Sequence, residues 1–155
     1  MDIKTNIVDG ALHVVLSGSV LESAKDELDE LRDLIDGKDV RLHCGGLTYI
    51  NSIGTGAWMK FMANVNSDKF VFQNCSFAFV EHLNIIPGMV GKGRVESVQV
   101  PYRCQACERD STVVVRVEDA LGGGLQSVAP TCQKCNRSLK PEVVFEEYFY
   151  FAQPS

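Results

Sequence analysis

The sequence predicts an α/β fold: a mixed β-sheet with helices over residues 1–100, followed by a small β-rich module over residues 101–155. Three observations predict it. Strand-like stretches alternate with stretches of helical period through the first hundred residues. After them come the Val-rich run Val113-Val114-Val115-Arg116-Val117 and a Gly122-Gly123-Gly124 turn. Four of the six cysteines stand in this second part as two close pairs. The run Val95–Val100 continues into Pro101-Tyr102-Arg103-Cys104 with no Gly/Ser linker, so the two parts are expected to pack closely.

The elements follow in order. Ile3–Val8 and Leu12–Leu16 read as strands joined by Asp9-Gly10, a dipeptide that suits a two-residue hairpin turn. Ser23 with Asp26 three positions on marks a helix start; Ala24, Leu28, Leu31 and Ile35 share one face of that helix, and Asp26, Asp29, Glu30 and Asp33 form a solvated one. Gly37 ends it. Asp39–Cys44 reads as a buried strand and Leu47–Ile50 as its continuation. Asn51-Ser52 opens a second helix, whose core face is predicted as Ile53, Ala57, Phe61 and Val65 with Trp58 and Met62 beside them. Lys69–Gln73 is a strand, and Phe79, Val80, Leu83 and Ile86 line a third helix. Arg94–Val100 closes the sheet. Leu28, Leu31, Phe61, Val65, Phe72 and Leu83 are the expected core. The tail Val143–Phe151, with five aromatics in nine residues, is read as a final strand.

Composition narrows the function. The chain has 155 residues, 45% apolar and 23% charged, which is enough to bury a core and unlike a disordered chain. No stretch approaches the roughly 18 to 20 apolar residues of a membrane-spanning helix. The N-terminal residues lack a basic opening and an apolar segment, so a reducing cytoplasm is the expected compartment. With 15 Lys and Arg against 20 Asp and Glu, the net charge is -5, which argues against nucleic acid and anionic lipid as partners.

The cysteine pairs are Cys104-Gln-Ala-Cys107 and Cys132-Gln-Lys-Cys135, with 24 residues between them. A C-x2-C turn presents two thiolates to one ion, and two such knuckles complete a tetrahedral S4 site. The four are therefore predicted metal ligands, with zinc the expected ion and iron the alternative. Cys44 and Cys75 are read as small buried hydrophobes.

Leu16-Ser17-Gly18 at the end of the second strand, together with the run Val40–Gly56, resembles a STAS domain, the fold of bacterial anti-sigma-factor antagonists and of sulfate-transporter tails. The resemblance covers about residues 1–100. Its sharpest part is the family's strand-to-helix signature, an aromatic, an apolar residue and Asp-Ser-x-Gly, which is Tyr49-Ile50-Asn51-Ser52-Ile53-Gly54 in this chain. It implies a non-enzymatic regulatory protein in which Ser52 carries a phosphate. Partner binding would fall on Asn51, Ser52, Ile53 and Thr55, and the partner would be a protein such as an anti-sigma factor or a kinase-like regulator; a homodimer is left open. Asn51 stands where the family signature has Asp, and His43-Cys44-Gly45-Gly46 where the preceding strand usually ends in Asp-Leu-Ser. A constitutive scaffold without a phosphoswitch is the alternative. As a residue starting a helix, Ser52 is expected to be its N-cap.

Residues 101–140 resemble a zinc ribbon, a module that joins proteins in some cases and binds nucleic acid in others. A nucleic-acid-binding adaptor is thus a second alternative, with Arg103, Arg109, Lys134 and Arg137 near the knuckles. The six basic and seven acidic residues of 101–155 oppose it. His13, His43 and His82 are scattered and assemble no triad, and Gly54-Thr55-Gly56 and Gly91-Lys92-Gly93-Arg94 lack the rest of a phosphate loop.

Overall fold

The computed structural model describes residues 1–153. It is a mixed α/β structure: β1 (Asp2–Val8), β2 (Ala11–Val20), α1 (Ala24–Ile35), β3 (Val40–Ile50), α2 (Ser52–Asn64), β4 (Phe70–Gln73), α3 (Phe77–Ile85), β5 (Arg94–Val95), β6 (Ser97–Cys104), β7 (Arg109–Arg116), α4 (Val117–Gly123), β8 (Lys140–Pro141) and α5 (Phe145–Tyr148). Two sheets result, with strand orders β1-β2-β3-β4-β5 and β7-β6-β8.

The first sheet is antiparallel only at its β1–β2 edge. Asp9 and Gly10 both have positive φ, 51° and 82°, the backbone that a two-residue hairpin turn needs. A helix follows each of β2, β3 and β4 and returns the chain to the same end, so β2, β3, β4 and β5 run parallel. Alternation sorts the side chains. Leu12, Val14 and Leu16 of β2, Val40, Leu42 and Cys44 of β3, and Phe70 and Phe72 of β4 are buried against the helices. Of the alternate positions, His13, Arg41, His43 and Gln73 are half-buried, Val15 is exposed and Val71 is buried.

Helix α1 buries Ala24, Leu28, Leu31 and Ile35, as its period predicts. Ser23 holds the N-cap position but makes no side-chain capping bond. Helix α3 is capped by Ser76, whose hydroxyl accepts from the Phe79 N–H at 3.2 Å; Phe79 and Val80 are buried, and Leu83 and Ile86 pack at the edge of the core. Of the expected core residues, Leu28, Leu31, Phe61 and Phe72 are buried, while Val65 and Leu83 are only partly so.

The face of α2 differs from the sequence reading. Gly54, Trp58, Phe61 and Met62 are buried, Ala57 is half-buried, and Ile53 is 63% exposed. Gly54 sets this rotation. A Cβ there would lie 2.0 Å from the carbonyl oxygen of Val20, so only glycine lets the start of α2 rest on the end of β2. Once Gly54 faces the sheet, Trp58, Phe61 and Met62 follow at the next turns, and Ile53, one residue away, turns to solvent. Trp58 satisfies its indole N–H on the Met89 carbonyl at 2.8 Å, and its ring meets Phe79 edge-on at 5.5 Å.

The predicted closing strand over Arg94–Val100 is divided. Arg94 and Val95 pair with β4, after which the chain bends at Glu96 and β6 pairs with β7 and β8 in the second sheet. Bonds from the Cys75 N–H to the Ser97 carbonyl (3.0 Å) and from the Gln99 N–H to the Cys75 carbonyl (2.8 Å) tie the start of β6 to the first sheet's loop. Strand β6 runs unbroken through residue 100, and its buried Val98, Val100 and Tyr102 belong to one core with the first sheet.

The aromatic tail is not a strand. It forms the short helix α5 and a 3-10 turn over Tyr150–Ala152. Aromatic content suggested strand, but Phe145, Tyr148 and Phe149 are spaced i, i+3, i+4, and a helical turn puts all three on the core side. Tyr148 stacks on Phe77 of α3 at 5.7 Å, and its hydroxyl donates to the Gln99 carbonyl. Asn84 clamps the tail, donating to the Tyr148 carbonyl at 2.9 Å and accepting from the Phe151 N–H at 2.8 Å.

Candidate functional site

The four cysteines of the two pairs converge. Their Sγ atoms all lie within 4.8 Å of one another, and they form a group that could hold a metal ion. Cys104 ends β6, and its knuckle is the β6–β7 turn itself, with Cys104 paired to Arg109 across the hairpin. The second knuckle sits in a loop closed by the Thr131–Ser138 bridge and by a bond from the Cys132 N–H to the Arg137 carbonyl at 2.8 Å. Pairing of Lys140 and Pro141 with Arg103 and Tyr102 then lays this loop beside Cys104. The residue after each pair is left-handed, Glu108 with φ 53° and Asn136 with φ 59°. Both knuckles thus turn the same way, although neither has glycine at that position.

The donor set fits a tetrahedral ion. A metal–sulfur distance of about 2.3 Å sets sulfur–sulfur edges of roughly 3.8 Å, and Cys104 Sγ lies 3.6 Å from Cys135 Sγ. Cys104 and Cys132 are buried, and Cys107 and Cys135 half-buried. The Cys107 N–H donates to Cys104 Sγ at 3.4 Å. Backbone N–H groups of Cys135 and Lys134 hold the Cys132 thiol down to about 6. Hydrogen bonding to Cys135, together with burial, pushes Cys107 up to about 12. Four thiols this close ionise together only when a cation balances them.

The residues at the start of α2 come together where β3 ends, beside the end of β2. Asn51 is the N-cap: its Oδ1 accepts from the Gly54 N–H at 2.7 Å. Its Nδ2 donates to Glu22 Oε2 at 2.9 Å, and this bond is the chief reason the Glu22 carboxyl sits below its usual range. The Thr55 hydroxyl donates to the Asn51 carbonyl at 2.9 Å. Ser52 is therefore the first helical residue and not the cap that the sequence suggested; it is exposed. The misplacement by one position has a physical cause, since Asn serves as well as Ser at a cap and extended φ,ψ of -90° and 175° at Asn51 decide between them. An amide is also the side chain that suits the position: it accepts from Gly54 while donating to Glu22, whereas Asp would face the Glu22 carboxylate.

Around Ser52 the surface mixes a hydroxyl with apolar groups. Tyr49 is 57% exposed, and it lines a shallow depression with Asn51, Ser52, Thr55, His82 and Ile86. Sequence reasoning missed Glu22, His82 and Ile86, which reach this surface from β2–α1 and α3. Because the cap is Asn51, Asn51→Ala is expected to cost about 1 kcal/mol and Ser52→Ala to leave stability unchanged within about 0.5 kcal/mol in denaturant titration. Equal losses would return the capping role to Ser52.

Two further pairings join residues read separately in the sequence. Cys44 and Cys75, both fully buried, place their sulfurs 3.4 Å apart, and burial pushes the Cys44 thiol well up, so it stays protonated and apolar in character. His13 Nδ1 and His43 Nε2 approach to 3.0 Å on the half-buried face of the first sheet; burial, then His13, lowers the His43 pKa. Among the described residues no helix is long and apolar enough to cross a membrane. No known protein-family model matches the chain, and no curated protein matches its sequence.

Proposed function

We propose that this chain is a non-enzymatic regulatory protein of STAS type, which binds a partner protein through the surface formed by Asn51, Ser52, Ile53 and Thr55 and carries a zinc ribbon on the end of β6. The observation that carries the reading is the state of Ser52. Its position at the first turn of α2 is exposed, and Asn51 caps the helix in its place, which leaves the Ser52 hydroxyl available for modification. A phosphate on Ser52 would meet the unpaired N–H groups and positive end of α2 and so be tolerated locally, while adding about -1.5 to -2 charge to the contact surface. Exposed Tyr49 and Ile53 supply the apolar area that a protein partner covers. An anti-sigma factor or a kinase-like regulator is the partner class that the STAS resemblance implies.

Zinc is the ion proposed for Cys104, Cys107, Cys132 and Cys135, with iron as the alternative ion for the same ligands. Its role would be structural: four protein thiolates close the coordination sphere and leave no open position for chemistry.

Affinity capture on immobilised chain, read by mass spectrometry, tests the switch. Ser52→Ala is expected to retain the partner and Ser52→Asp to lose it, because only the second introduces charge where the partner sits. Equal capture by the two variants would remove the switch and leave a constitutive scaffold.

A further inference from the structure

A second candidate interaction surface lies away from Ser52, where α3 meets the C-terminal tail. Packing of α5 against α3 leaves a groove floored by Phe77, Ile85, Val144 and Tyr148. Phe77, Ile85 and Val144 are 45%, 77% and 55% exposed, which is a high apolar exposure for one small region. The rim is acidic. Glu81, Glu142 and Glu147 line the groove, all three are exposed, and among the described residues none has a cationic side chain within ion-pair distance. No Lys or Arg occurs in α3 or from Pro141 to Gln153. The acidic face of α1 is different, since Lys25 and Arg32 pair with Asp29 and Asp33 there.

We propose that this groove binds a basic amphipathic helix of a partner protein. The apolar floor takes the helix's apolar stripe, and the three carboxylates take flanking Lys or Arg side chains. Helix α3 has nine residues, about 13 Å, so it offers room for roughly two turns of a docked helix with anchors at i, i+3 or i+4, and i+7. A second copy of the chain does not match this occupant. Among the described residues α1 is the only helix with two cationic side chains, and both are paired on an otherwise acidic face; α2 has one and α3, α4 and α5 have none. The tail that forms one wall is held by the Asn84 clamp and the Phe77–Tyr148 stack, so the groove is preformed. This surface is independent of the Ser52 reading, because it uses the other flank of α3.

The probe is a fluorescein-labelled peptide of about 14 residues, helix-forming, with Leu at i, i+3, i+4 and i+7 and Lys or Arg on both sides of that stripe. Its control has the same Leu positions with every Lys or Arg changed to Glu. Fluorescence anisotropy against the full metal-loaded chain is expected to show binding of the basic peptide at least tenfold tighter than that of the acidic one. The triple variant Glu81→Gln, Glu142→Gln, Glu147→Gln is expected to weaken binding about tenfold, and Ile85→Ser, at a position too exposed to affect folding, by a similar factor. A control triple, Asp26→Asn, Glu30→Gln, Asp33→Asn on α1, is expected to bind as the unmodified chain does, and so is Ser52→Asp. Equal affinity for the two peptides, absence of binding up to about 1 mM, or the same loss in the α1 triple would overturn the proposal. So would a concentration-dependent dimer in analytical ultracentrifugation that Ile85→Ser abolishes, which would make a second copy the occupant.

Discussion

Cys132→Ser is expected to unfold the second sheet's loop and to lower stability by on the order of 5 kcal/mol, the scale on which a structural metal site contributes folding energy. Little else holds the loop that carries Cys132 and Cys135. Strand β8 is two residues long, the Thr131–Ser138 bridge is single, and Leu125 and Leu139 are the buried aliphatic anchors on either side of it. Residues 101–140 should therefore lose hydrogen-exchange protection on chelation before the first sheet does. Because β6 belongs to both parts, the loss should then spread to Val98 and Val100 and lower the melting temperature of the whole chain. Cys44→Ser and Cys75→Ser, which disturb a buried thiol pair and no metal, should cost much less. Thermal unfolding of the purified variants, run beside elemental analysis for zinc and iron, checks both statements. A Cys132→Ser protein that melts with the unmodified chain would leave the four cysteines without a structural role.

Phe61→Ala is the second large effect, expected to cost about 3 to 5 kcal/mol. Phe61 is buried in α2, and its ring lies 5.5 Å from that of Trp58, which itself packs on Phe72 and Phe79. Truncation would open a cavity against Trp58 at the side of this aromatic cluster, where the indole, held by its hydrogen bond to the Met89 carbonyl, has little freedom to collapse. Ile53→Ala, about two turns nearer the start of the same helix, should change stability by less than about 0.5 kcal/mol, because Ile53 is exposed. Guanidinium titration of the two variants separates the two possible helix faces through Ile53, since Phe61 is on the core side in both. A loss at Ile53 as large as that at Phe61 would mean that α2 is turned as its sequence period alone suggests, with both residues on the core face.

The difference between those two faces marks what is readable in the chain. The alternation of β2, the period of α1 and the Asp9-Gly10 turn are local facts, and the structure has them where the residues place them. Helix α2 is nearly apolar all round, so periodicity finds the helix without orienting it; the orientation comes from the contact between Gly54 and Val20, more than thirty residues apart. The tail was misread for a related reason. Aromatic residues favour strands, yet what matters at Phe145, Tyr148 and Phe149 is their spacing against α3. The metal cluster was legible because a C-x2-C pair brings two ligands together within one turn, and only the meeting of the two pairs needed tertiary structure. By contrast, Asn51 with Glu22, Cys44 with Cys75 and His13 with His43 meet across 29 to 31 residues, through strand register that no short window contains. The same holds for Glu81 and Glu147, which share a groove only because the tail folds back on α3.

The central claim is that Ser52 is a regulatory site and not a structural one. Phosphopeptide mass spectrometry of the chain isolated from its native cell under several growth conditions tests it most directly. The account predicts a phosphate on Ser52 in at least one condition, at an occupancy that changes between conditions. Ser52 without phosphate in every condition, in protein whose other peptides are fully recovered, would contradict it.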